Sequence, residues 1–330
     1  MATSPNSNPD RLRARGNPIK KAGLGQRLQQ ELQYFLKTKE LFVLCILPLL
    51  VLFLFSYFPI LGTFIAFKNI NFAEGLLKSP WCGWDNFKFY FSSQDAFRTT
   101  RNALVMNLSF IAATTAIAVF CALKLYRLTR RFVKLFQTVM FIPYFLSWVV
   151  ISYVVYVFLN PEYGLFNNIL KHFGLAGVNW YNDPTYWPLI LLFWYLWKNV
   201  GYTTIIYYTG LLGIDQSYYE AAAIDGASNF QKTVKITLPL LSPLITIMVL
   251  LSIGRIFFSD FGLFYFVPKD SGMLYPVTDV IDTYVYRSLR VTGDIGMAAA
   301  AGFYQSLVGL ILVLVSNKIV KLFNKDNAIL

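Results

Sequence analysis

Residues 41–67, LFVLCILPLLVLFLFSYFPILGTFIAF, form an apolar run that contains no charged residue. A helix that crosses the hydrocarbon core of a bilayer needs ~20 predominantly apolar residues, so this run is long enough to span a membrane. It is longer and starts later than the apolar core of a cleaved signal peptide. We therefore predict that it is a retained transmembrane helix.

Five more apolar runs of similar length follow along the chain. They occupy residues 103–123, 136–159, 187–208, 241–267 and 295–320. Only 14% of the 330 residues are charged and 56% are hydrophobic, whereas a soluble domain carries about 25% charged residues. The pattern predicts an all-α integral membrane protein with six transmembrane helices in residues 41–323. Residues 1–40 and 324–330 are predicted to be tails.

The N-terminal tail ends in apolar residues at helical spacing, which include Leu24, Leu28 and Leu32. With Lys and Arg between them, they favour an amphipathic helix on the membrane surface. A first turn of the following span is an equally simple interpretation.

Positive charge predicts the orientation of the six spans. The segments 1–40, 124–134, 209–240 and 318–330 carry 18 Lys and Arg residues, against 9 in the three alternate segments. Because cytoplasmic loops carry the excess of Lys and Arg, we expect both termini and residues 209–240 in the cytoplasm. The net charge of +12 is then mostly a topology signal and does not favour binding to nucleic acid.

The composition disfavours enzymatic chemistry on this chain. It contains one histidine, His172, and three cysteines, which leaves little material for a catalytic triad or a metal centre. Asp279 and Asp282 lie in the segment between the last two spans. We expect them on a solvated surface or on one that docks another protein.

Residues 214–243, IDQSYYEAAAIDGASNFQKTVKITLPLLSP, connect the fourth and fifth spans, and we call this stretch the elbow. Ser217 with Glu220, and Ser228 with Gln231, match the pattern of a capping box, which starts a helix. Gly226 between them is a suitable left-handed helix stop. The pattern predicts two short helices at an angle, the second running from residue 229 toward Pro239.

The spacing within the elbow resembles the EAA signature of the permeases of binding-protein-dependent ABC importers. The matching residues are Glu220-Ala221-Ala222, Gly226, Ile236 and Leu238-Pro239. The resemblance covers about residues 41–323 and implies the type I ABC importer permease fold. In that family the elbow is a coupling helix that docks on an ATPase, which implies this role for Glu220, Ala221, Ala222, Asp225 and Gly226.

The resemblance also implies the partners. They are a second six-span permease, usually in a heterodimer, two cytoplasmic ABC ATPase subunits and an extracytoplasmic solute-binding protein. ATP and Mg would bind to the ATPase, because this chain lacks a phosphate-binding G-x-x-x-x-G-K-[ST] loop, and this chain would hold no cofactor. The implied location is a bacterial-type cytoplasmic membrane.

Several segments resemble the oligosaccharide and polysaccharide branch of the family. They are residues 47–59, 65–67, 79–87 and 280–287, although Cys82 and Trp84 depart from that branch's pattern around Gly83. Sugars are bound by aromatic faces and polar groups. We therefore predict an oligosaccharide path lined by residues from Tyr153, Tyr156, Trp194, Trp197, Lys198, Asn199, Tyr202 and Arg255, with Tyr195 and Tyr207 as further candidates. Ordinary helix packing is the alternative for each aromatic residue.

Charges inside spans tend to mark a pathway. Lys198 and Arg255 would favour an acidic solute, such as a uronate oligosaccharide. An internal ion pair, such as Arg255 with Asp260, is the alternative. A stand-alone secondary transporter remains a second hypothesis for the whole chain, although we find no clear repeat between its halves.

Overall fold

The computed structural model describes residues 39–323, and this part of the chain is almost entirely helical. The predicted amphipathic helix before residue 39 and the tail 324–330 lie outside the described residues. The helices are α1 Lys39–Leu52, α2 Gly75–Lys78, α3 Asp85–Ser92, α4 Gln94–Leu125, α5 Arg130–Phe141, α6 Trp148–Leu159, α7 Leu165–His172, α8 Trp187–Leu212, α9 Ser217–Ile224, α10 Asn229–Lys232, α11 Leu238–Ile253, α12 Phe261–Phe266, α13 Tyr275–Thr278, α14 Ile281–Arg287 and α15 Ile295–Phe323.

The described chain divides into two units at Gly62 and Thr63. In the first unit, α1 continues through a π-helical turn at Phe53–Tyr57. A 3₁₀ stretch, Phe58–Phe67, leads into the second unit. The second unit holds all the other helices.

Six apolar spans are confirmed when one bent pair of helices is counted as a single span. Five helices are long and apolar enough to cross a membrane, and the sixth candidate is a helix pair bent by 97°. The five are Val43–Phe67, Gln94–Leu125, Pro184–Leu212, Asn229–Ile253 and Ile295–Lys321, and the pair is Arg130–Phe145 with Trp148–Leu159.

The third span bends far more sharply than a proline kink predicts. A 3₁₀ turn, Ile142–Phe145, contains Pro143, and Leu146 is extended. The Ser147 hydroxyl then accepts a hydrogen bond from Val150 N and caps α6. Pro143 removes a backbone donor and Ser147 starts a new helix, so the two signals together break the span.

The fifth span does not run to residue 267 as predicted. Helix α11 ends at Ile253, and α12 begins after Asp260, whose side chain accepts from Gly262 N. Residues 254–260, which we call the unwound segment, form turns and irregular backbone instead of an α-helix, so they interrupt the span. Hydropathy averaged over the span does not reveal this break, although the segment carries two charged residues, Arg255 and Asp260.

The segment 268–294 is packed rather than open. Leu274, Val280 and Ile281 are fully buried in the largest core cluster, together with Trp187. Asp279 is 1% exposed, and its carboxylate pairs with Arg98 at 2.8 Å and with Arg287. The expectation of a solvated or docking surface is therefore wrong for Asp279, because two arginines compensate the buried charge.

Helix α8 touches the backbone of α5 at Gly201. A Cβ atom on Gly201 would lie 1.8 Å from the Met140 carbonyl oxygen. No backbone atom can move aside as a flexible side chain does, so only glycine permits this contact. The contact places α8 directly against the arm of the third span that precedes its break.

We expect Gly201→Ala to lower the melting temperature of the purified protein, because relieving the overlap costs ~1–3 kcal/mol. Gly302→Ala is the matched control, since a Cβ there meets no atom within 4 Å. Thermal unfolding in detergent, followed by tryptophan fluorescence, measures both. Equal melting temperatures for the two variants would contradict this packing.

Candidate functional site

The first helix of the elbow starts without the predicted capping box. Ser217 is the first residue of α9, and no side chain caps the helix at Gln216. Instead, Asp215 Oδ1 accepts a hydrogen bond from Ser217 N at 2.9 Å. The backbone and side-chain hydrogen bonds from Ser217 lower the pKa of Asp215, because they favour the charged carboxylate. The prediction of a capping box at Ser217 is therefore wrong, because the Ser217 backbone N–H donates to Asp215 rather than to Glu220.

The predicted helix stop at Gly226 and the predicted start of the second elbow helix at Ser228 are confirmed. Gly226 has a φ of +73°, and Ala227 N donates to Ala222 O at 2.9 Å, as in a Schellman motif. Ser228 and Gln231 form the predicted capping box. These local signals fix the angle between the two helices of the elbow.

The second elbow helix continues into the fifth span instead of stopping at Pro239. A π-helical turn, Thr233–Thr237, joins α10 to α11, and Leu238 N donates to Thr233 O, five residues earlier. A π turn shifts the hydrogen-bond register, and such local adjustments accommodate prolines in membrane helices. One helix of 25 residues, Asn229–Ile253, therefore links the elbow to the unwound segment.

Side chains tie the elbow to the neighbouring elements. The hydroxyls of Tyr219 and Thr237 lie 3.0 Å apart, which bridges α9 to the end of the π turn. Gln216 donates to the Tyr126 hydroxyl at 2.8 Å, and Arg127 donates to the Thr233 hydroxyl at 2.7 Å. The elbow is thus held to the end of α4 as well as to the fifth span.

The outer face of the elbow is open to contact. Glu220, Ala221, Asp225 and Gly226 are exposed, and Ala222 is half-buried. Within residues 39–323, the side chain of Glu220 has no hydrogen-bond or ion-pair partner. Ile224 is 87% exposed and Phe230 is 76% exposed. The elbow thus presents an acidic side chain flanked by small and apolar residues.

A cavity of about 660 Å³ lies in the second unit, between α4, α8, α11 and the unwound segment. Its wall is rich in aromatic rings and polar groups. The lining includes Asn107, Phe110, Thr114, Thr115, Tyr144, Tyr195, Asn199, Tyr202, Thr203, Tyr207, Ser252, Arg255, Phe258, Ser259, Asp260, Phe261 and Asp282.

The structure brings three of the eight predicted path residues to this cavity, namely Asn199, Tyr202 and Arg255. The further candidates Tyr195 and Tyr207 line it as well. Sequence reasoning missed Tyr144, Asn107 and Asp282. Tyr144 follows Pro143 at the break of the third span, and that proline was the available signal for it.

The other five predicted path residues lie elsewhere. Tyr153 is 66% exposed, and Trp194 is buried in the core. Trp197 lines a separate apolar groove with Pro143 and Phe193. Tyr156 lies under the Lys269 ammonium, 3.1 Å from ring centroid to Nζ. Lys198 is turned toward the break in the third span and is not among the residues that line the cavity.

Side chains satisfy the backbone of the unwound segment. Asn107 Nδ2 donates to Ile256 O at 2.9 Å, and Gln305 Nε2 donates to Phe257 O at 2.6 Å. Asp282 Oδ2 accepts from Ser259 N at 2.8 Å. An interrupted helix inside a bilayer needs such partners, because no lipid can supply them.

The charged groups in the cavity wall differ in their partners. Asp282 accepts a second hydrogen bond from Gln305 at 3.1 Å. Asp260 accepts from Trp148 Nε1 at 2.5 Å and from Gly262 N at 3.1 Å. Arg255 is exposed, and no carboxylate of residues 39–323 lies within 4 Å of its guanidinium. The alternative of an Arg255–Asp260 ion pair is therefore wrong for this structure, and Arg255 stays available to a solute.

Long apolar helices around a polar cavity, with an exposed elbow, define a membrane permease. The family described as "Binding-protein-dependent transport system inner membrane component" matches residues 114–325. The chain belongs to this family, the permease subunits of ABC importers. Membership supports the importer hypothesis rather than a stand-alone secondary transporter.

Relatives and solved structures extend the similarity to most of the chain. Protein LplB of Bacillus subtilis is 31% identical over 314 residues, covering 94% of this chain and 97% of its own length. The polygalacturonan/rhamnogalacturonan transport system permease protein YteP of the same organism is 30% identical, covering 88% and 90%. A bacterial ABC transporter involved in the import of the acidic polysaccharide alginate has a similar chain, with a TM-score of 0.82, 27% identity, and coverage of 89% and 99%.

We expect Asp282→Asn to destabilise the unwound segment, because both carboxylate oxygens accept from N–H donors and an amide presents a donor to one of them. Leaving a buried donor unsatisfied costs ~1–3 kcal/mol. The expected result is a lower melting temperature and faster hydrogen exchange at residues 254–260. Asp85→Asn, whose side chain is 68% exposed, is the control. Unchanged exchange in Asp282→Asn would refute the role of Asp282.

Proposed function

We propose that this chain forms half of the translocation path of an importer for acidic oligosaccharides in a bacterial cytoplasmic membrane. The observation that carries the proposal is Arg255, which lines an aromatic and polar cavity and has no carboxylate partner among residues 39–323. The carboxylates of Asp260 and Asp282 already accept hydrogen bonds from the protein. Those carboxylates are therefore occupied by protein donors, whereas the N–H donors of the Arg255 guanidinium stay available to a solute carboxylate.

The cavity suits a sugar. Aromatic rings stack on the C–H faces of sugar rings, and amides and hydroxyls bind their hydroxyl groups. Tyr202 is 40% exposed and Phe258 is 42% exposed, and Asn199 and Thr203 lie in the same wall. The names of two relatives agree, since YteP transports polygalacturonan or rhamnogalacturonan and the alginate transporter imports an acidic polysaccharide.

The proposed assembly adds three kinds of partner subunit to this chain. A second six-span permease would close the cavity, whose wall is partly exposed in this chain, and a heterodimer is typical of the family. Two cytoplasmic ATPase subunits would hold ATP and Mg, so that this chain needs no cofactor and has no enzymatic activity. A solute-binding protein would deliver the sugar, as the alginate transporter's complex with a pentasaccharide-bound periplasmic protein suggests. The elbow and both termini would face the cytoplasm.

The described contacts suggest how a movement caused by ATP binding in the motor subunit is transmitted to the cavity. A motor subunit that docks on Glu220, Ala221, Ala222, Asp225 and Gly226 would push the elbow. The continuous helix Asn229–Ile253, about 37 Å long at 1.5 Å per residue, would carry that displacement to the unwound segment. Arg255 and Ser259 lie there in the cavity wall. Alternating exposure of the cavity to the two sides would follow.

We expect Glu220→Ala to uncouple transport from ATP hydrolysis. Truncation of a central interface side chain costs ~2 kcal/mol, so uptake should fall by about tenfold or more while the binding protein still captures solute. Glu162→Ala, which removes an exposed carboxylate outside the elbow, is the control. Uptake and ATPase activity of the reconstituted importer measure the effect, and normal uptake by Glu220→Ala would count against the coupling role.

We expect Arg255→Gln to reduce the uptake of acidic oligosaccharides selectively. A hydrogen bond to a charged group contributes ~1.5–3 kcal/mol, which corresponds to a loss of about tenfold or more. Uptake of a neutral oligosaccharide of equal length should stay within about twofold, and Arg255→Lys should retain part of the preference. Equal uptake of the two sugars by the unmodified importer would end the proposal of an acidic solute.

A further inference from the structure

Lys198 reaches the break in the third span rather than the cavity. Its Nζ donates to Tyr144 O at 2.8 Å and also to Leu146 O. The same ammonium lies 5.7 Å from the ring centroid of Tyr144 and 5.4 Å from that of Trp148. Two carbonyls at the end of the 3₁₀ turn and two aromatic faces therefore surround one cation from α8.

Trp148 extends this contact to the fifth span. Its Nε1 donates to Asp260 Oδ2 at 2.5 Å, and Asp260 in turn caps α12. A Cβ on Gly262 would lie 2.5 Å from Trp148 Cδ1, so the glycine permits this close approach. Lys198, Trp148 and Asp260, which we call the clasp, thus join the broken ends of two spans to α8.

The clasp has a clear physical reason. A broken membrane helix leaves backbone carbonyls that lipid cannot satisfy, and each unsatisfied group costs several kcal/mol. A lysine is equally costly inside a span unless polar groups surround it. The lysine and the carbonyls satisfy each other, and the nearby ring faces add a cation–π attraction.

The clasp also fixes a pair of rings in the cavity wall. The rings of Tyr144 and Tyr202 stack with a centroid separation of 4.6 Å and an interplanar angle of 10°. Tyr202 lies four residues after Lys198 on α8, so both stand on one face of that helix. Lys198 holds the backbone of Tyr144, and α8 holds Tyr202.

We propose that Lys198 is a positioning residue for the Tyr144–Tyr202 ring pair, which contacts the sugar, and that Trp148 and Asp260 keep the break in place. The inference rests on the proposed function, because it assigns the ring pair to an oligosaccharide. Lys198 acts through Tyr144 and does not bind the solute. It therefore differs in role from Arg255, although both are cations of the predicted path.

The test compares Lys198→Met and Lys198→Arg in the complete importer, reconstituted with its binding protein and ATPase. The substrates are an acidic and a neutral oligosaccharide of equal length. A misplaced ring pair should raise KM for both sugars by a similar factor, about five- to tenfold, with little change in maximal rate. Lys198→Arg should restore most of the affinity, because a guanidinium can also donate to two carbonyls. A loss confined to the acidic sugar would overturn the proposal.

A double-mutant cycle with Tyr144→Leu tests the route of the effect. If Lys198 acts only through Tyr144, Lys198→Met should add less than about twofold to the KM of Tyr144→Leu, because coupled residues are not additive. Full additivity would overturn the proposal. Trp148→Phe keeps a ring beside Lys198 and removes the donor to Asp260, so it serves as a milder variant if Lys198→Met fails to assemble. A stable Trp148→Phe importer with unchanged KM would also contradict the clasp.

The outcomes separate this inference from the proposed substrate. A non-additive cycle with no preference for acidic sugars would retain the clasp and discard the acidic solute. A charge-selective Arg255→Gln with an additive Lys198 cycle would do the reverse.

Discussion

The bilayer supplies no hydrogen bonds, and this constraint shapes the centre of the protein. Every backbone N–H and C=O inside the hydrocarbon core needs a partner within the protein. An uninterrupted helix meets this demand alone, but the third and fifth spans are interrupted at residues 142–147 and 254–260. Lys198 supplies donors to the first interruption, and Asn107, Gln305 and Asp282 provide partners for the second. These four polar side chains are therefore committed to the backbone of the interruptions.

The same interruptions give the cavity its chemistry. A continuous helix uses its backbone groups in its own hydrogen bonds. The two breaks instead place Tyr144, Arg255 and Ser259 in the cavity wall. Two of the three acidic and basic groups in that wall, Asp260 and Asp282, are engaged by protein donors. Arg255 remains. The specificity that we propose follows from the hydrogen-bonding groups that the fold occupies, on Asp260 and Asp282, and from those that it leaves available, on Arg255.

Two helices connect the elbow to this centre, α8 before it and the continuous helix Asn229–Ile253 after it. Local signals, namely Asp215, Gly226 and the Ser228–Gln231 box, set its shape, while Tyr126 and Arg127 hold it to the end of α4. The π turn before Pro239 lets the helix continue, so a displacement of the elbow has a stiff element along which to travel. Its far end is the unwound segment, which lines the cavity. A transporter driven from one end of its spans needs such a connection.

Periodicity and composition determined that the chain is an all-α membrane protein with six spans, and local motifs determined the position of the elbow. These features depend on local hydropathy and on side chains that act within a few residues of each other. The capping box at Ser228 and the stop at Gly226 were readable for the same reason. The box at Ser217 was not, since Asp215 competes for the same amide. Only the tertiary structure decided that Lys198 binds carbonyls 52 and 54 residues away, that Asp279 is buried between two arginines, and that Arg255 faces the cavity unpaired. Those outcomes depend on contacts between distant spans. No local pattern shows that Lys198 binds backbone carbonyls while Arg255 stays unpaired.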